Sequence, residues 1–171
     1  YRMRDRFPEP RFVHMLGNTL ASRLGRVEEA IKVYQEARAS LGDDDLLLNN
    51  LGYALILAGR LVEAEAVLAP LYERRSSLGD DTALCAIASY GLLKIRKGDG
   101  DEGLQFYREA HTRAHGFMRK RIKQKMDVEE GRLLLARGKT QKAVSLLKGA
   151  ATGPDPEFSA EARGLLVDSS N

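Results

Sequence analysis

The chain has 171 residues, 30% of them charged, and its 27 Lys and Arg against 24 Asp and Glu leave a formal net charge of +3. That length suffices for one domain with a continuous core, and so small a net charge excludes the strongly basic surface typical of nucleic-acid-binding proteins. The single cysteine, Cys85, excludes an intramolecular disulfide and a multi-cysteine zinc site, and no apolar run approaches the roughly 20 residues that span a bilayer.

Nine amphipathic helices are predicted along the chain, since Leu and Ala are abundant and aromatic residues are few. In chain order they span 10–24, 27–41, 45–58, 61–77, 82–97, 100–115, 117–137, 140–151 and 157–168. Acidic clusters at 43–45 and 80–81 are expected to cap helix starts, because carboxylates accept hydrogen bonds from free N–H groups and complement the helix dipole. Pro70 lies inside the fourth helix and should bend it. The fold class is therefore predicted to be all-α.

Four copies of one helix pair account for the first eight helices. Each copy has a turn glycine followed five residues later by a small residue: Gly25 and Ala30, Gly59 and Ala64, Gly98 and Gly103, Gly138 and Ala143. The turn glycines are 34, 39 and 40 residues apart. Small residues let two helices approach closely, so the pattern predicts repeats at about 10–42, 44–78, 81–115 and 117–152. The helix at 157–168 is unpaired and is expected either to cap the fourth pair or to be the first helix of a further pair in a continuing array.

The second copy resembles the tetratricopeptide repeat (TPR) pattern W-x2-L-G-x2-Y…A-x3-F. It meets that pattern with Leu48, Leu51, Gly52, Leu55, Ala64 and Leu68. The longer third and fourth copies are similar to the roughly 40-residue repeats of bacterial signalling solenoids. The first copy departs from the second by one extra residue between Gly17 and Gly25. The resemblance implies a right-handed α-solenoid of about four TPR-like helix pairs plus a C-terminal capping helix.

The resemblance also implies a function, which is to bind a peptide or protein segment in a concave groove lined by the first helix of each pair. Carried over repeat by repeat, the groove positions are His14, Asn18, Asn49, Asn50, Tyr53, Ile56, Ala88, Leu92, Val128 and Arg132. Such a scaffold performs no bond chemistry, so we expect no catalytic residue, no cofactor and no metal. We expect a cytoplasmic protein, with exposed terminal repeats that offer a route to a homo-oligomer.

A basic run at the start of the seventh helix is the most specific charge feature. It comprises Arg119, Lys120, Arg121, Lys123 and Lys125. Such a run is typical of a solvated helix face, and a phosphate-rich ligand or an acidic protein partner are the alternatives; nucleic acid is not the expected partner.

A second hypothesis makes the chain a regulatory or sensor arm of a larger multidomain regulator, such as a transcription regulator or a signalling ATPase. The chain begins at Tyr1 without an initiator methionine. We therefore expect residues 1–171 to be one repeat domain excised from a longer protein.

Three short motifs are interpreted as structural. The segment Gly98–Gly103 fits the dinucleotide pattern G-x-G-x-x-G, but it follows a predicted helix instead of a strand, and its carboxylates would repel a phosphate. Gly138–Thr140 lacks the earlier glycine of a P-loop, so we expect a turn with Thr140 capping the next helix. His111 and His115 lack a third metal ligand and are predicted at a helix C-terminus.

Overall fold

The computed structural model describes residues 10–169, and every regular element in that range is helical. In chain order the helices are α1 (Pro10–Asn18), α2 (Val27–Leu41), α3 (Asp45–Leu57), α4 (Leu61–Glu73), α5 (Asp80–Lys97), α6 (Gly100–Arg113), α7 (Gly116–Ala136), α8 (Thr140–Ala150) and α9 (Pro156–Asp168). The all-α prediction is confirmed. The predicted domain 1–171 also includes residues 1–9, 170 and 171, which lie outside the described part of the chain.

Each helix packs against the next helix in the chain, and the odd-numbered helices also pack against one another. The latter contacts join α1 to α3, α3 to α5, α5 to α7, and α7 to α9, so the odd-numbered helices form a row. One apolar core runs from α1 to α7, and a smaller cluster lies between α7, α8 and α9. Between residues 10 and 169, no helix has the length and apolar character needed to cross a bilayer.

The two helices of each pair cross at a glycine of the first helix. A Cβ atom on Gly91 would lie 2.8 Å from the carbonyl oxygen of Gly103, and one on Gly131 would lie 2.8 Å from the side chain of Leu147. The equivalent crossings join Gly17 to Tyr34 and Gly52 to Leu68. Close helix packing therefore requires glycine at each of these four crossings.

The turns inside the second, third and fourth pairs share one backbone hydrogen bond that spans five residues. At Gly59, whose φ of +73° favours glycine, the chain leaves α3, and the Arg60 N–H donates to the Leu55 carbonyl at 2.9 Å. In the first pair the Arg26 N–H reaches back one residue further, to Leu20. A π-helical segment, Thr19–Arg23, continues α1 and accommodates the extra residue of that copy.

Some predicted helix ends differ from the observed ones. Asp44 caps α3 by accepting from the Leu47 N–H at 2.9 Å, as predicted. The prediction that Asp80 and Asp81 cap a helix is wrong, because α5 begins at Asp80 and both carboxylates lie in its first turn, where they complement the dipole only. Thr140 is the first residue of α8 and does not cap it. The fourth helix ends at 73 instead of 77, three residues after Pro70.

Candidate functional site

The ten predicted groove residues divide into two groups of five. Five of them expose less than a tenth of their surface and pack between helices: Asn49, Ile56, Ala88, Leu92 and Val128. The other half are partly or fully accessible: His14, Asn18, Asn50, Tyr53 and Arg132. A ligand could contact the second group directly, whereas it could reach the first group only by separating helices.

The accessible residues of the first pair are engaged in internal hydrogen bonds. The Tyr34 hydroxyl donates to Asn18 Oδ1 at 2.9 Å, beside the crossing at Gly17. Asn50 Nδ2 lies 3.2 Å from His14 Nδ1, and His14 Nε2 lies 3.5 Å from a carboxylate oxygen of Asp44. Burial lowers the pKa of His14, and the Asp44 carboxylate offsets part of that effect. This network fixes α1 against α3.

A small cavity of about 200 Å³ lies beside this network. It is lined by Pro10, Val13, His14, Leu41, Asp44 and Leu47. Its walls are mainly apolar, and His14 and Asp44 supply its polar groups.

The ammonium group of Lys125, in α7, lies near aromatic side chains of α3 and α9. Lys125 Nζ lies 5.0 Å from the ring centroid of Tyr53 in α3 and 4.7 Å from that of Phe158 in α9. Burial lowers the pKa of Lys125 and raises that of the Cys85 thiol, and the charge of Lys125 partly offsets the shift at Cys85. Two aromatic faces therefore stabilise a cation that is only partly exposed to solvent.

We call this surface the inner face and define it by Tyr53, Cys85 and Lys125, with Arg121 and Arg132 at its margin. Burial raises the pKa of Tyr53, and acidic residues of α9, Glu157 first among them, raise it further. The acidic residues of α9 therefore act electrostatically on the Tyr53 side chain of α3.

The predicted basic run does not form one patch. Arg121 pairs with Asp155 at 3.1 Å, and Lys123 pairs with Asp127 at 2.6 Å within α7. Lys125 lies between the two aromatic rings described above. Arg119 and Lys120 are exposed to solvent, as the prediction of a solvated face requires. The run therefore contributes mainly to contacts inside the chain.

A buried ion pair and a buried amide, which the sequence did not indicate, support the inner face. Glu129 is 3% exposed and accepts two hydrogen bonds from Arg96, both at 2.7 Å. Gln124 is also buried; its Nε2 donates to the carbonyl of Ala150 at 2.9 Å, and its Oε1 accepts from the Asp155 N–H at 2.8 Å. The partners are 26 to 33 residues apart in sequence, so only the repeat spacing could have suggested them.

The two histidines and the glycine-rich segment of the short sequence motifs lie at helix ends and in a turn between helices. His111 lies in the last turn of α6, whereas His115 precedes α7, so the prediction of a shared helix end is wrong for His115. The segment Gly98–Gly103 joins α5 to α6, both of them helices. Across residues 10–169, no group of three or more His, Cys, Asp or Glu side chains is arranged to hold a metal ion.

Comparisons of the chain with protein-family models, with curated proteins and with solved structures found no match. The chemistry of the inner face is therefore the basis for assigning a function. It comprises a partly exposed cation, an aromatic ring and two arginines that pair with Asp155 and Glu161, a chemistry that suits an acidic and partly apolar segment. The Cys85 thiol is not activated as a nucleophile, because burial raises its pKa.

Proposed function

We propose that the chain is a right-handed α-solenoid of four tetratricopeptide-like helix pairs with a C-terminal helix. Support comes from the equivalent glycine crossings in the four pairs, the repeated hydrogen bond at the turns and the row of odd-numbered helices. A stacked array of this kind presents the first helices of its pairs as a continuous surface suited to binding.

The function that we infer is protein recognition on the inner face, without bond chemistry. The observation that carries this proposal is the position of Lys125 over Tyr53, because it brings cationic and aromatic groups from helices α3 and α7 to one accessible surface. A segment that presents carboxylates next to apolar side chains would match this surface in charge and polarity.

A peptide-display selection on the full chain tests this function. We expect enrichment of acidic peptides that contain an aromatic or aliphatic residue, and at least tenfold weaker binding to the Tyr53→Ala and Lys125→Met variants, which corresponds to about 1.4 kcal/mol. Val62→Ala is the matched control, because Val62 is 83% exposed on α4, away from the inner face. Selection without an enriched motif, or binding that ignores both substitutions, would contradict the proposal.

A further inference from the structure

Helix α9 is held to the rest of the chain by a small apolar contact. Its buried residues are Phe158, Ser159 and Ala162. Phe158 and Ala162, with the partly buried Leu165 and Leu166, belong to the cluster that is separate from the main core. Val167 in its last turns is 64% exposed, and Gly164 has open space around it. Because so little apolar surface is buried, α9 belongs to the part of a fold that opens at low free-energy cost.

Charge complementarity contributes much of the remaining contact between α7 and α9. Three cations of α7 face Asp155, the N-cap of α9, and two acids within the helix. Arg121 pairs with Asp155 at 3.1 Å, Arg132 pairs with Glu161, and the charge of Lys125 acts on Glu157. The aromatic ring of Phe158 covers the same lysine.

The first turn of α9 also extends beyond α7 and α8. Burial raises the pKa of Glu157, and a hydrogen bond from the Ser22 hydroxyl, in the segment that continues α1, partly offsets that rise. Glu157 and Glu161 act on Tyr53 in α3. A helix that merely covered the apolar edge of the fourth pair would not need to place Phe158 4.7 Å from Lys125 Nζ, which itself lies 5.0 Å from the Tyr53 ring centroid, whereas a segment lying on the inner face would do so.

We propose that α9 is an internal ligand. In the isolated chain it occupies the α7 part of the inner face, and a partner's acidic amphipathic helix with one aromatic residue binds there when α9 is displaced. This inference rests on the proposed function and specifies its ligand and its regulation. Gln124 Nε2 also donates to Ser159 Oγ in α9 at 3.0 Å, so displacement of α9 must break this hydrogen bond, whereas the bonds of Gln124 to the backbone of Ala150 and Asp155 can remain.

The test uses a fluorescent peptide of residues 154–169 and the full chain carrying Phe158→Ala with Glu161→Ala. These changes weaken α9 in cis and leave every α7 residue in place. A tethered helix competes at an effective concentration of the order of millimolar, so we expect the variant to bind the peptide at least about tenfold more tightly than the unaltered chain. A peptide carrying the same two substitutions is the matched control and should not bind.

A charge exchange checks that the peptide occupies the site of α9. Adding Arg132→Glu to the variant should abolish binding of the original peptide, and a peptide with Glu161→Lys alone should restore it. Raised salt should weaken the original binding. The inference is overturned if the variant binds no better than the unaltered chain, or if Arg132→Glu leaves the affinity unchanged.

A second measurement does not depend on the variant. Excess peptide added to the unaltered chain should accelerate hydrogen exchange in residues 159–168 and slow it in α7; unchanged exchange in both helices would also overturn the inference. If displayed peptides bind through Tyr53 but the peptide of residues 154–169 does not bind, this inference fails and the proposed function stands. If the displayed peptides do not bind either, both the inference and the proposed function are contradicted.

Discussion

The repeat pattern and the tertiary structure predict opposite effects of replacing Gly103 by alanine. The other three copies have alanine at this position, Ala30, Ala64 and Ala143, so the pattern alone predicts that Gly103→Ala is tolerated or, by helix propensity, stabilising by up to about 1 kcal/mol. In the structure a Cβ atom on Gly103 would lie 2.5 Å from the carbonyl oxygen of Gly91 and 2.9 Å from the Ile95 backbone nitrogen. Rotation of a side chain cannot relieve contacts with backbone atoms, so α5 and α6 must separate.

Overpacking of this kind costs about 1 to 3 kcal/mol, and the backbone contacts favour the upper part of that range. After the gain in helix propensity we expect a net loss of about 1 to 2 kcal/mol, or a melting temperature roughly 2 to 8 °C lower. Circular dichroism during urea and thermal unfolding measures both quantities. Gly149→Ala is the matched control, because Gly149 lies in α8 and a Cβ atom there meets nothing within 4 Å, so only the propensity gain remains and the stability should rise by up to about 1 kcal/mol. A Gly103→Ala variant as stable as the parent would refute the close crossing of α5 and α6.

Three further predictions concern buried polar groups. Gln124→Leu should lower the free energy of unfolding by about 2 kcal/mol and speed hydrogen exchange in α9, because it leaves buried backbone groups unbonded. Arg96→Met should cost about 3 kcal/mol in a denaturant titration, since it leaves the Glu129 carboxylate buried without its partner, whereas Arg26→Met, at an exposed pair, should cost less than about 1 kcal/mol. The lowered pKa of His14 predicts stability that is complete above its ordinary pKa of 6.5 and is lost as the pH falls through the folded-state value; His14→Gln should remove this dependence between about pH 7.5 and about pH 5.

Each of these predictions has an outcome that contradicts it. Unchanged exchange in α9 of the Gln124→Leu protein would mean that the amide does not hold that helix. Equal losses for the two arginine variants would mean that burial of Glu129 has no energetic consequence. A parent and a His14→Gln variant with parallel pH profiles would show that His14 titrates alike in the folded and unfolded chain.

The helices and their order could be predicted from the sequence, because short-range interactions decide them. Apolar periodicity, turn glycines and the prolines before α9 act within one or two turns of helix. The predicted ends therefore agree with the observed ones to within two residues, except after Pro70 and at the end of α1, which a π-helical segment continues to Arg23. The extra residue between Gly17 and Gly25 was also visible in the sequence. Its accommodation by a π-helical segment required the structure, since a longer turn would have served equally well.

The inner face required the tertiary structure, because exposure depends on neighbours that are distant in the chain. The repeat pattern assigned Ile56 and Leu92 to the groove with the same weight as Tyr53, yet the first two are buried by adjacent helices and only Tyr53 is accessible. The basic run gave no sign that Lys125 lies between two aromatic rings. Pairing of α7 with an acidic α9 joins residues about 30 apart, and such long-range contacts are set by how helices stack, which local sequence patterns do not encode.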